Sequence, residues 1–395
     1  MKVKSEYPVI TLGKLAEKID YGFSASATDV GDGPKFLRIT DIQDDHVNWS
    51  TVPLCEADKQ DTIKYALAEG DIVFARTGAT TGKSYLIRHC PQNSIFASYL
   101  IRVRPSKDVD SGYLSRFFQT SSYWRQINLN TSGTAQGGVN ATKLKTLLVP
   151  LPPLEEQRKI AAILDKADGV RRKRKEAIRL TEELLRSTFL EMFGDPVTNP
   201  KGWETHKLKE FTKRPITYGI LKPGPHVSEG IPMLRIQDIH NGRVTASGIH
   251  KVSPELSSEY SRTVLRGGEI VISLVGTLGL TALIPESLKG ANVHRNLGVI
   301  DIESEIVLSS FIFHYFKFSG IENFLLKNTK GGVQSLLNLG ELREMPVNLP
   351  PLSLQQDFES LASNQIALNT NALSAYEQSE NLFNSLLQRA FRGEL

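Results

Sequence analysis

The apolar positions of this chain follow two different periods. In the first regime they form short runs bounded by glycine and polar residues, at Phe36–Ile42, Asp71–Arg76, Ser84–Ile87 and Tyr99–Val103. That is the pattern of buried β-strands joined by turns. Ahead of them, Thr11–Ile19 reads as a capped amphipathic helix. In the second regime apolar positions recur at 4-3 spacing. One stripe runs Ile160, Leu164, Ala167, Arg171, Arg174, Ile178, Thr181, Leu185, Thr188, Met192. The other runs Phe358, Leu361, Gln365, Leu368, Ala372, Tyr376, Ser379, Phe383, Leu386, Ala390. Such spacing is the seam of a coiled coil, here interrupted by charge at Arg171 and Arg174. A Pro-Pro pair precedes each stripe and suits a new helix start. Leu154 to Phe193 would make a helix of about 60 Å at about 1.5 Å per residue, longer than one small domain needs. The stripes either pack on each other or each covers only its neighbouring domain; the helix length favours the first.

The same motifs are written twice. Tyr21-Gly22 recurs as Tyr218-Gly219, and Leu37-Arg38-Ile39-Thr40-Asp41-Ile42 as Leu234-Arg235-Ile236-Gln237-Asp238-Ile239. Gly70-Asp71-Ile72-Val73 matches Gly268-Glu269-Ile270-Val271, and Leu151-Pro152-Pro153-Leu154 matches Leu349-Pro350-Pro351-Leu352. Gln157 matches Gln355, and Phe193 matches Phe391. A near-constant offset of 197 or 198 positions over the whole length marks one duplicated unit. The expected division is an α/β domain at 1–150, a helical spacer at 151–196, a second α/β domain at 197–349 and a closing helical spacer at 350–395.

Composition adds limits. Hydrophobic residues make up 40% and charged residues 23%, those of an ordinary globular chain. The net charge of +4 is spread as a mild positive excess over both α/β blocks, while 350–395 is acidic. This is compatible with nucleic-acid binding without demonstrating it. Cys55 and Cys90 form no CxxC pair, so neither a zinc site nor a disulfide framework is expected, and a reducing cytoplasm is the default location. The most membrane-like stretch, Ile270–Ile284, is short of the about 20 residues a spanning helix needs and holds Gly276 and Gly279. It reads as two buried strands around a glycine turn.

Catalytic motifs are missing. Gly78-Ala79-Thr80-Thr81-Gly82-Lys83-Ser84 has one residue too few between its glycines for a phosphate loop, and its repeat partner has Leu280 in place of the lysine. No HExxH, GxSxG or dinucleotide GxGxxG is present, nor the Asn/Asp-Pro-Pro-aromatic tetrapeptide of DNA amino-methyltransferases. Neither a catalytic site nor a metal site is expected.

The run Val149-Pro150-Leu151-Pro152-Pro153-Leu154-Glu155-Glu156-Gln157-Arg158-Lys159-Ile160-Ala161-Ala162-Ile163-Leu164 resembles the central helical region of type I restriction–modification specificity subunits, as does the closing Ala390-Phe391-Arg392-Gly393-Glu394-Leu395. The resemblance covers the full chain. It implies two tandem α/β target-recognition domains, each followed by a long α-helix, with the helices paired as an antiparallel coiled coil. Each domain would read one half of a split double-stranded DNA target. The helices would set the gap and dock two modification subunits, and two motor–nuclease subunits could join. S-adenosylmethionine, ATP and Mg would be bound by those partners and not by this chain. Readers of base edges are Arg, Lys, Asn, Gln, Ser and Thr. The candidates are Arg76, Thr77, Lys83, Thr131, Ser132 and Gln136 in the first domain, and Arg235, Gln237, His294, Arg295, Lys330 and Gln334 in the second. The matching Arg38 and Arg235 could equally be fold-stabilising. Two other classes stay open: a self-contained enzyme with a diverged core, and a scaffold that binds partner helices but no DNA.

Overall fold

The computed structural model describes residues 7–131, 138–240, 242–245, 248–302, 305–318, 324 and 337–395. The chain forms two compact units, one of Met1–Lys175 with Ser374–Leu395 and one of Glu176–Leu373. Each is a mixed α/β body built on the same plan.

In the first unit four antiparallel strands form a sheet in the order Ala16–Tyr21, Leu100–Pro105, Ile72–Ala75, Ser84–Leu86. In the second unit Thr217–Tyr218, Leu297–Ile300, Ile270–Ser273 and Thr281–Leu283 repeat that order. The central strands Ile72–Ala75 and Ile270–Ser273 are buried at every position, as a strand covered on both faces must be. Each unit also has a small mixed sheet, in which Ser94–Phe96 lies parallel to Lys35–Leu37 and Asn292–Val293 parallel to Ile231–Leu234. Ile270–Ile284 is indeed two strands around a turn, with Gly276 and Gly279 both at positive φ. No helix among the described residues is long and apolar enough to cross a membrane.

Two local expectations are corrected. Only Leu12–Leu15 of the Thr11–Ile19 segment is helical. From Ala16 the chain is a strand paired with Leu100–Pro105. Leu12 and Leu15 are buried on one helical turn, but pairing with the central strand outweighs local helix propensity beyond it. The strand expected over Phe36–Ile42 stops at Leu37. Asp41 takes the backbone N–H and the guanidinium of Arg38, bending Ile39–Asp41 into a 3-10 turn.

The long helices span Leu154–Phe193 and Leu352–Ala390. Each contributes to both units. In the first unit Ile160 and Leu164, near the start of one helix, share a core with Phe383, Leu387 and Ala390, near the end of the other. In the second unit Leu185 and Phe189 share a core with Phe358 and Ala362. Within each unit the two segments are therefore antiparallel. Phe391 packs on Tyr113 with ring centroids 4.9 Å apart, and its repeat counterpart Phe193 packs on Phe311 at the same 4.9 Å. The end of one helix thus does for the first unit what the end of the other does for the second.

On the first helix Ala167 and Met192 pack at the edges of these cores and Ile178 is half-buried. On the second helix Leu386 packs likewise, but Leu361 and Leu368 do not belong to the seam, being 50% and 66% exposed. The inward face runs through Phe358, Ala362, Gln365, Asn369 and Ala372. Small and polar side chains disguise it, while the leucines that suggested the other phase face solvent. The charged interruption has a physical account. Arg171 donates to Asp168 and to Glu380 of the second helix, with its guanidinium 4.3 Å from the Phe383 ring centre. Arg174 donates to the Ala375 carbonyl. Arg116, buried on Ser111–Phe117, completes the network through Asp165 and Asp168.

Candidate nucleic-acid interface

One end of each four-stranded sheet gathers most of the described candidates. In the first unit the hairpin Ile72–Ala75/Ser84–Leu86 closes through Arg76–Lys83, with Gly78 and Gly82 at φ 84°. The Thr81 hydroxyl donates to the Gly78 carbonyl at 2.7 Å, and Gly82 N–H to the Ala75 carbonyl at 2.9 Å. The turn rests on helix Ser121–Thr131. Tyr123 Oη donates to the Gly82 carbonyl at 2.5 Å, and a Cβ on Gly82 would lie 3.0 Å from Ile127. The segment that resembles a phosphate loop is thus a strand-to-strand turn and opens no helix.

At this tip Arg76, Thr77 and Lys83 are exposed. The Arg76 backbone is fixed on both sides: its N–H donates to the Tyr99 carbonyl and its carbonyl accepts from Val139 N–H, both at 3.0 Å. Its guanidinium lies over the Tyr21 ring, 5.0 Å from the centroid. Tyr21 Oη in turn accepts from Ala141 N–H at 3.1 Å. Tyr21 and Tyr99 are 39% and 65% exposed. Sequence reasoning passed over both rings. The repeated Tyr-Gly pair was the available signal: a Cβ on Gly22 would stand 2.3 Å from the Phe96 and Ala97 carbonyls, and one on Gly219 only 1.7 Å from that of Val293. The glycine lets the strand pass close by and leaves the tyrosine before it at the sheet end. Thr131 is the last residue of its helix, its side chain outside the description; Ser132 and Gln136 lie outside the described residues.

The second unit keeps the backbone and changes the chemistry. Leu274 stands at the place of Arg76, its N–H donating to Asn296 and its carbonyl accepting from Leu337 N–H. It is 4% exposed. Cationic character sits instead on the adjoining turn, where Arg295 is exposed and His294 half-buried. Burial, then the charges of Arg295, Arg235 and His250, hold the His294 pKa below its ordinary value. It is thus a neutral hydrogen-bonding group near pH 7, with Nδ1 accepting from Asn296 N–H. Arg235 spends its hydrogen bonds on Asp238, through backbone N–H, Nε and Nη2, as Arg38 does on Asp41. Of the readings weighed for this matched pair, the geometry supplies the fold-stabilising one. Gln237 is exposed on the same 3-10 turn. Lys330 and Gln334 lie outside the described residues.

Other arginines are committed to carboxylates. Arg102 grips both Asp20 oxygens at 3.0 and 2.8 Å, and Arg104 both Asp71 oxygens at 2.7 Å. In the second unit Arg214 pairs with Glu269, the counterpart of Asp71, and with Asp301. Such pairs leave few donors for a ligand, which sets Arg76 apart.

Comparison with known proteins gives the family and the fold. The family described as "Type I restriction modification DNA specificity domain" matches residues 4–180 and again 200–372. The chain is 26% identical to the type I restriction enzyme EcoBI specificity subunit of Escherichia coli over 72% of this chain, an alignment that spans 66% of that relative, just under two thirds of its length. It is 25% identical to the putative MjaX specificity subunit of Methanocaldococcus jannaschii, over 90% of this chain and 85% of the relative. The fold is similar to that of the type I restriction–modification S subunit of M. genitalium, with TM-score 0.58 at 14% identity over 99% and 98% of the two chains. A chain from a structure of a type I R-M system matches with TM-score 0.51 at 20% identity over the full length of both.

Proposed function

Since the chain belongs to the type I restriction–modification DNA specificity family, we propose that it is the subunit that reads the target for a multisubunit adenine-N6 methyltransferase and restriction endonuclease. Each α/β domain reads one half of a bipartite double-stranded DNA site. The long helices set the gap between the halves and dock two modification subunits, with two restriction subunits joining for cleavage. The chain has no catalytic site of its own. S-adenosylmethionine, and ATP and Mg for restriction, are held by the partners, and the complex works in the cytoplasm.

The observation that carries this reading is the pair of sheet ends. The same backbone frame occurs twice, with Arg76 on one and Leu274 on the other. A duplicated frame with unlike side chains suits two half-sites of different sequence, since base edges are told apart by donor, acceptor and methyl patterns. The test is reconstitution. The purified chain alone should transfer no methyl group to DNA, and addition of its modification subunit should give site-specific methylation. Binding by the complex should weaken steeply with salt, because phosphate contacts release counterions. Methyl transfer by the pure chain would overturn the non-catalytic reading, and a complex that binds no DNA would overturn the recognition reading.

A further inference from the structure

We propose that Tyr21 is a positioning residue that presents Arg76 to a guanine in the half-site taken by the first unit, and that the second unit makes no such contact at the equivalent place. The proposal rests on the DNA-recognition reading above and deepens it.

The argument begins with what Arg76 lacks. Among the described residues no carboxylate pairs with its guanidinium, whereas Arg38, Arg102, Arg104 and Arg116 are each committed to one. Its donors are available, at an exposed tip, on a backbone pinned through Tyr99 and Val139. A guanidinium over an aromatic face is held by the ring quadrupole, while its in-plane N–H groups stay open to a ligand. The ring is held as well. Tyr21 pairs with Ile101 in the sheet, and its hydroxyl is tied to Ala141 N–H at 3.1 Å. The result is a planar fork of donors restrained before the ligand arrives, so less entropy is lost on contact.

The ligand that fits this fork in duplex DNA is guanine, whose O6 and N7 accept two parallel bonds in the major groove. A phosphate could also accept such a pair, but rigid support of the cation through a second side chain matters most where register against one base counts. In the second unit the same backbone bonds hold Leu274, which is apolar and buried, so the Tyr218 ring there has no arginine from this position to carry.

The test uses the complete complex of this chain with its modification subunit. Methylation mapping gives the bipartite target. Duplexes are then made with 7-deazaguanine at each guanine in turn, which removes the N7 acceptor and keeps Watson–Crick pairing. Wild-type complex should lose affinity for one such duplex, in one half-site. Arg76→Gln should abolish that sensitivity and weaken discrimination at that base about tenfold to hundredfold, the range of one bidentate contact. Tyr21→Leu should relax the same base, and Tyr21→Phe, which keeps the ring and loses only the tie to Ala141, should restore most of the preference. The other half-site, unchanged throughout, reports that the protein is folded. If Arg76→Gln instead weakens all sequences alike and lowers the salt slope by about one, Arg76 holds a phosphate, and the proposal is overturned. It is equally overturned if no guanine responds, or if Tyr21→Leu leaves the base preference intact. Each of those results leaves two-part recognition standing. A complex that methylates without sequence preference would instead remove the function reading itself.

Discussion

The Gln157 side chain accepts a hydrogen bond from the backbone N–H of Asp110 at 2.9 Å, and its amide donates to the Pro152 carbonyl at the same distance. Its repeat counterpart, Gln355, accepts from Leu308 N–H and donates to the Pro350 carbonyl, both at 2.9 Å. Both glutamines are fully buried. Each latches the first turn of a long helix to the α/β body beside it, and the Pro-Pro pair supplies the carbonyl. Replacing Gln157 with Leu strands a part-buried N–H and a buried carbonyl. We expect a loss of about 1–3 kcal/mol, measured by denaturant unfolding, and a similar loss for Gln355→Leu. An unchanged midpoint for both would show that the latch contributes nothing.

This latch also explains what was legible in the sequence. Gln157 and Gln355 matched in the repeat because one amide group must satisfy two backbone groups in both copies. The strands Ile72–Ala75 and Ser84–Leu86 were visible because all of the first and the apolar Tyr85 and Leu86 of the second are buried. The helix bounds were visible because Pro-Pro fixes the start and Gly194, at φ 82°, follows the end of the first. The turn at Arg38–Asp41 was hidden, since a side chain three residues ahead decides it. The seam through Ala362 and Asn369 was hidden because neither is a strong hydrophobe. At the candidate interface, Arg76 could be named from its type, but its support by Tyr21 depends on strands 50 or more residues apart in the chain.

Asp168 is the hub of the charged network in the first unit. Burial opposes its ionisation, but the charge of Arg116 and hydrogen bonds from Arg171 and Arg116 prevail, and its pKa lies below the ordinary carboxylate value. A depressed carboxylate contributes stability above the unfolded value and loses it as pH falls through the folded one. That loss should begin below about pH 4. Asp168→Asn leaves the buried Arg116 with a weaker partner, and we expect about 3 kcal/mol of destabilisation at neutral pH. Acid titration of unfolding free energy should show the variant less sensitive below pH 4.

His314 gives the second unit a different acid response. It is buried among Phe313, Phe318 and Phe358, and burial, followed by the charge of Lys317, pushes its pKa down to about 3. An unfolded histidine takes up its proton near pH 6.5. Between about 6.5 and 3 the unfolded state binds a proton that the folded state refuses, so stability falls with decreasing pH by up to about 1.4 kcal/mol per unit. His314→Phe should flatten the decline between pH 6 and 4. A parallel decline in variant and wild type would place its origin elsewhere.

If the helices act as a ruler, lengthening them should change the gap and not the bases read. A four-residue insertion inside the helix Leu154–Phe193, after Lys173, adds about 6 Å of helix and turns the part beyond it by about 40°. The expected result is a longer gap or loss of activity, with both half-site sequences kept wherever activity survives. Methylation mapping of the insertion variant reads this directly. An active variant with the original gap would show that these residues do not set the spacing.

The central claim is that each unit reads its own half of the target. Its most direct test exchanges residues 1–150 for the corresponding domain of a relative and maps N6-methyladenine in DNA from cells carrying the chimera and its modification subunit. The account predicts that one half of the methylated sequence changes to that of the relative while the other half stays as it was. A change in both halves, or in neither, would contradict it.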